Sequence, residues 1–149
     1  MSPVQLLPLL LVFVAGWMVA LQAPTNAMLA RAGGSPVLAA LISFAVGTAA
    51  LLSVWLATES RPTSSSLGSL PWYAWLGGIY GAIYVAVAAY AAPRIGVATL
   101  ITVVIAGQIV MALWLDHMGA LGLEREPLSP VRILGAMLVL AGVFLVRRG

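Results

Sequence analysis

The stretch "SPVLAALISFAVGTAALLSVWLAT", residues 35–58, decides the fold, because the whole of 32–58 carries no ionisable side chain. A helix that crosses a bilayer needs roughly 20 largely apolar residues, and this stretch supplies them behind a Ser-Pro start. The same reading holds outward from it. Residues 1–30, 62–93 and 95–115 are also free of charged side chains, and 133–146 becomes long enough if Arg132 and Arg147 snorkel to opposite headgroup layers. The chain has 149 residues, is 62% hydrophobic and only 7% charged. A soluble domain carries about a quarter charged residues, so the composition is that of an integral membrane protein. We expect an all-α fold, one membrane domain over 1–149, with helices near 4–30, 36–57, 71–92, 95–115 and 130–147.

Punctuation agrees with this division. Ser35-Pro36 and Ser129-Pro130 each give an N-cap followed by proline at the first helical position. "TESRPTSSSLGSLP" (58–71) reads as a polar loop, "PRIG" (93–96) as a tight turn, and "DHMGALGLEREPLS" (116–129) as a second loop. Tryptophans 17, 55, 72, 75 and 114 fall mostly near helix ends, where an indole suits the membrane interface. The opening "MSPVQLLPLL" lacks a basic n-region and a small-residue cleavage site, so a retained helix is expected rather than a signal peptide.

Several chemistries find no support. Cysteine is absent, so thiolate metal sites and disulfides are excluded, and the single histidine, His117, cannot alone form a metal centre or a nucleophilic triad. No catalytic constellation is visible, and no enzyme activity, cofactor or metal is expected. The formal charge of +3 comes from arginines spread over the loops, which describes topology and not a nucleic-acid surface. Five helices put Arg61, Arg125 and Arg132 on one side and Arg31, Arg94, Arg147 and Arg148 on the other. Four against three is a weak orientation bias, nominally with the C-terminus inside, so dual insertion and an antiparallel ten-helix homodimer become possible. A single fixed orientation is the alternative.

The polar residues inside the spans are few. Gln22 and Asn26 are one turn apart in "LQAPTNAMLAR" (21–31), with Pro24 between them. Proline cannot donate to the carbonyl of Ala20, so a kink is expected there, and freed backbone at membrane depth needs protein or a watery cavity. In "WYAWLGGIYGAIYVAVAAY" (72–90), Tyr73, Tyr80 and Tyr84 fall on one helical face, while Gly77, Gly78, Gly81 and Ala82 allow close helix approach. Ser43 lies on a small-residue stripe with Ala39, Gly47 and Ala50. Gln108 must find a neighbour or a cavity. Threonines 99 and 102 have their own helix to bond back to. Asp116-His117 marks where a helix leaves the membrane and suits a pH-sensing gate as well as a solvated helix end. Gly135 and Gly142, seven apart, form a groove for another helix.

Taken together, these motifs resemble the five-helix proteins of the YdcZ type in the drug/metabolite transporter superfamily. The segments that carry the resemblance are "LQAPTNAMLAR", "SPVLAALISFAVGT", "GGIYGA", "PRIGVATL", "AGQ", "DHMGALG" and "RILGAMLVLAG". The resemblance implies a bacterial inner-membrane, multi-pass protein equal to one half of an EamA-type ten-helix transporter. It also implies kinship with small multidrug resistance proteins, which are antiparallel dimers joined through a glycine pair like Gly135 and Gly142. Those proteins use a glutamate in helix 1 for proton coupling, and helix 1 here has none. Gln22 and Asn26 fill the polar role without a titratable group.

The expected function is therefore secondary transport of a small solute by alternating access at the interface of an antiparallel dimer. The solute would be held by Gln22, Asn26, Tyr80, Tyr84, Gln108 and Ser43. A passive polar channel and a structural or partner-regulating subunit are the alternatives. The expected partners are a small-molecule substrate, the lipid bilayer, and a second copy or a paired homologous subunit, with no nucleic acid.

Overall fold

The computed structural model describes residues 3–58 and 67–148, with the backbone alone for 3–6. Five long helices account for nearly all of them: α1 Pro3–Gly33, α2 Pro36–Thr58, α3 Gly77–Ile95, α4 Val97–Met118 and α5 Pro130–Arg148. A 3₁₀ turn, Trp72–Leu76, leads into α3, and a second, Ala120–Gly122, follows α4. Among the described residues the fold is all-helical, and five segments are long and apolar enough to cross a membrane. Most of the serine-rich loop, including Arg61, lies outside the described residues.

The chain divides into two compact units, Met1–Arg94 and Ile95–Gly149. In the first, α1 and α2 pack together across a two-residue turn. Gly34 takes φ +72°, and Ser35 then caps α2: its Oγ accepts from Leu38 N–H at 3.2 Å and its carbonyl from Ala39 N–H at 3.1 Å. Gly81 of α3 sits against α2. A Cβ built there would lie 3.0 Å from Phe44 Cζ, so glycine makes room for that ring. Pro93 lies inside the last turn of α3, leaving the Ala89 carbonyl without its usual donor. The Arg94 guanidinium closes this end by donating to the Tyr90 carbonyl and lying over the Tyr90 ring, 3.6 Å from its centroid.

In the second unit, α4 packs against α5. Gly119 ends α4 in the left-handed conformation (φ +61°, ψ 34°), its N–H donating to Asp116 O, as helix C-termini commonly do. The connecting loop is tied back to α4. Glu126 N–H donates to Asp116 O at 2.8 Å, and Arg125 Nε donates to His117 O at 3.0 Å. Ser129 caps α5 through Oγ, which accepts from Arg132 N–H at 3.3 Å.

Among the described residues ten apolar ones are buried, and eight of them are alanines. In the first unit these are Ala23 and Ala27 of α1, Ala39 and Ala40 of α2, and Ala88, Ala89 and Ala92 of α3. No large side chain is fully buried among the described residues, and Leu, Val, Ile and Trp side chains point outward along every helix. That inversion is what a bilayer dictates. Lipid tails are as apolar as leucine, so helices associate through small residues that maximise backbone contact.

Candidate functional site

The first unit collects most of the predicted polar residues. Pro24 lies within one continuous helix, so the Ala20 carbonyl loses its usual donor. Thr25 sits beside that break. Its hydroxyl lies 3.1 Å from Leu21 O and 2.9 Å from Gln22 O, and shares its one proton between these two neighbouring acceptors. Thr25 was not among the sequence-predicted residues. The available signal was the Pro-Thr pair itself, a donor placed next to a proline.

Asn26 is the decisive residue. It faces inward with Ala23 and Ala27, is 3% exposed, and is the buried polar residue among those described. Its carboxamide has no hydrogen-bond partner among the described residues, whereas Thr25 beside it is engaged twice. The amide atoms are not wholly enclosed, since the one fully buried unpartnered side-chain polar atom among the described residues is Arg132 Nη1, so a small partner can still reach Asn26. Gln22, one turn earlier, is half-buried, and its side-chain amide is likewise unpartnered among the described residues.

Ser43 comes to the same depth from the other helix. Asn26 and Ser43 are ~12 and ~14 Å from the turn at Gly34, given a rise of 1.5 Å per residue. Ser43 is half-buried and, unlike Ser53, which donates to Ala49 O at 2.8 Å, it makes no bond to its own helix. On α3, Tyr84 is half-buried next to buried Val85, while Tyr80 is 61% exposed. Tyr73 leaves the expected tyrosine face. It lies in the Trp72–Leu76 3₁₀ turn, whose 3.0 residues per turn break the α-helical phase before α3 begins.

Gln108 belongs to the second unit, at an exposed position in the middle of α4. Asp116 and His117 end α4 within a network. Arg132 Nη2 lies 2.9 Å from Asp116 Oδ2 and 2.8 Å from Glu126 Oε2, and His117 Nδ1 accepts a long bond (3.4 Å) from Leu128 N–H. The Asp116 and Arg132 side chains are each about one-third exposed (32% and 34%), so water screens the pair and each contact stabilises by roughly 1 kcal/mol or less. Arg132 entered the sequence reading as a side-setting charge and a snorkelling end of the fifth span, not as a partner of Asp116, because the pairing depends on how the hairpin closes. Of the packing glycines, Gly81 meets Phe44, whereas a Cβ at Gly77, Gly78, Gly135 or Gly142 would meet nothing within 4 Å.

With this geometry in view, comparison with protein families gives one match. Residues 7–145 fit the family described as "Putative inner membrane exporter, YdcZ". The chain belongs to the YdcZ family. The match takes in all five spans, so membership extends to the whole helical framework and the resemblance read from the motifs holds. It makes the chain a multi-pass membrane protein of a family described as exporters rather than enzymes, and the family's description indicates the inner membrane. No match was found among curated proteins or among solved structures.

Proposed function

We propose that the protein is a secondary transporter that moves a small solute by alternating access, with two antiparallel copies sharing a central site. The observation that carries this reading is Asn26, an amide 3% exposed and without a partner among the described residues, at membrane depth. Such a group is tolerated where a solute, water or another chain completes its hydrogen bonds. In this reading Gln22, Ser43 and Tyr84 would add donors and acceptors for the solute, and Tyr80 and Gln108 would meet it from faces that are open in the single chain. The site would suit a neutral or zwitterionic solute, or an organic cation held by tyrosine faces. The described spans carry no carboxylate short of Asp116 at the end of α4, so the site has no carboxylate proton of its own to exchange.

The test is counterflow in proteoliposomes with a panel of labelled solutes. Saturable exchange is expected, reduced at least about ten-fold by Gln22→Ala or Asn26→Ala while both variants stay folded, as for loss of a buried hydrogen bond. Flux linear in concentration without exchange would make the protein a channel. Unchanged exchange in both variants would remove the amides from the site. In the same assay a gating role for Asp116-His117 predicts an altered exchange rate in His117→Gln, which removes the ring nitrogen that accepts from Leu128 N–H.

Dimerisation through α5 is supported by its open face: no residue of this helix is buried in the single chain, and Gly135 and Gly142 present bare backbone. Gly142→Leu therefore meets no steric conflict within the protomer. It is expected to shift detergent-solubilised protein from dimer to monomer on sedimentation, and an unchanged dimer would place the seam elsewhere. C-terminal reporters active only in the cytoplasm or only in the periplasm should both light up if insertion is dual. A single active reporter sinks the dual-topology reading.

A further inference from the structure

We infer that the α4–α5 face of the second unit is a binding site for one anionic phospholipid, its phosphate held by Arg147 and Thr99. At the end of the hairpin where α4 begins and α5 ends, a cavity of about 340 Å³ is lined by Ile95, Thr99, Val103 and Arg147. Thr102 donates its hydroxyl to Ala98 O at 2.7 Å, as membrane threonines usually do. Thr99, one turn nearer the cavity, does not, and neither it nor Arg147 has a hydrogen-bond or ion-pair partner among the described residues. An unpaired guanidinium and an unpaired hydroxyl on one small cavity form a donor set for a phosphate oxygen.

A larger cavity borders it at Val103. Val103 also lines an apolar groove of about 740 Å³ that runs past Gly107 and Met111 to Trp114 on α4, with Leu140 and Phe144 on α5. Along the axis Val103 to Trp114 is ~16 Å, about the depth of one leaflet of a ~30 Å hydrocarbon core. Donors at the end and an acyl-length apolar groove below them are complementary to a charged head joined to a chain. A helix from a second copy fits less well. Its backbone groups are already satisfied, the spans carry no acid short of Asp116, and Asp116 is already paired with Arg132. Attraction of an arginine near the surface to anionic lipid adds to the contact.

The test is native mass spectrometry of the full-length protein in detergent, titrated with phosphatidylglycerol, phosphatidylcholine or glycerol 3-phosphate. One phosphatidylglycerol per chain is expected, bound about ten-fold more tightly than phosphatidylcholine, in which choline offsets the phosphate charge. Arg147→Gln and Gly107→Leu should each weaken it about ten-fold, by removing the head contact and by filling the groove. A Cβ at Gly107 meets nothing within 4 Å, so this variant disturbs no packing in the single chain. Arg148→Gln should bind as the unaltered protein does. If Arg147→Gln fails to fold by circular dichroism, Thr99→Val replaces it as the head variant.

Equal binding of the two lipids, or unchanged binding in the head or groove variants, overturns the inference. So does competition by glycerol 3-phosphate at matching concentration, which would make this a site for free phosphate esters. Loss of a dimer in Gly107→Leu with lipid binding intact would assign the groove to a second copy and overturn it equally.

Discussion

Asn26→Leu is expected to end solute exchange and, at the same time, to make the protein up to about 1 kcal/mol harder to unfold. The two effects share one cause. Leucine keeps the branching of asparagine at Cγ but needs no hydrogen bonds, and the native amide has none among the described residues. Replacing an unpartnered buried polar group removes its desolvation cost, so the folded state gains. The solute loses the group that would recognise it. A structural role for the amide predicts the reverse: amides that glue helices contribute ~0.6–2 kcal/mol, so Asn26→Leu would lower stability and leave no transport to lose. Overpacking beside Ala23 and Ala27 could mask the gain, and Asn26→Ala, which adds no atoms, separates that case. Thermal unfolding in detergent and counterflow on the same preparations read both effects. Lower stability in both variants with exchange intact refutes the proposed site.

The division between what sequence conveys and what it does not follows from the solvent. Charge-free runs place the spans because a bilayer penalises every ionised group, and the Ser-Pro pairs place two helix starts because their caps are local. Both Ser35 and Ser129 accept from the expected backbone N–H groups. Facing directions are harder to read. These helices are apolar around their whole circumference, so periodicity cannot tell the buried face from the lipid face. The alanines at 23, 27, 39 and 40 turned out to be the better guide, with Asn26 carried inward among them. Tyr73 misled because a helical period was extended through Pro71-Trp72, where the backbone makes a 3₁₀ turn. The Asp116–Arg132–Glu126 network was illegible because its members are brought together by a loop closing on itself, with a left-handed residue at Leu121 that no motif announces.

Gly96→Ala should destabilise the protein by about 1–3 kcal/mol, while Gly16→Ala, the same chemical change, should leave it unchanged or up to about 1 kcal/mol more stable. The contrast rests on backbone conformation alone. A Cβ added at either position would meet no atom within 4 Å, so sterics with neighbouring side chains cancel from the comparison. Gly16 lies in the interior of α1, where alanine is the best helix former and glycine costs conformational entropy. Gly96 is the single residue between Ile95, the end of α3, and Val97, the start of α4. It takes φ 80° and ψ 150°, a region essentially closed to residues with a Cβ, and its carbonyl accepts from Leu100 N–H at 3.0 Å to begin α4. Alanine must therefore bear the strain or shift φ, and a shift in φ breaks the first hydrogen bond of α4. Strain at this position is therefore expected to lower the unfolding midpoint. Equal midpoints for the two alanine variants would show that the joint relaxes to a conformation open to any residue.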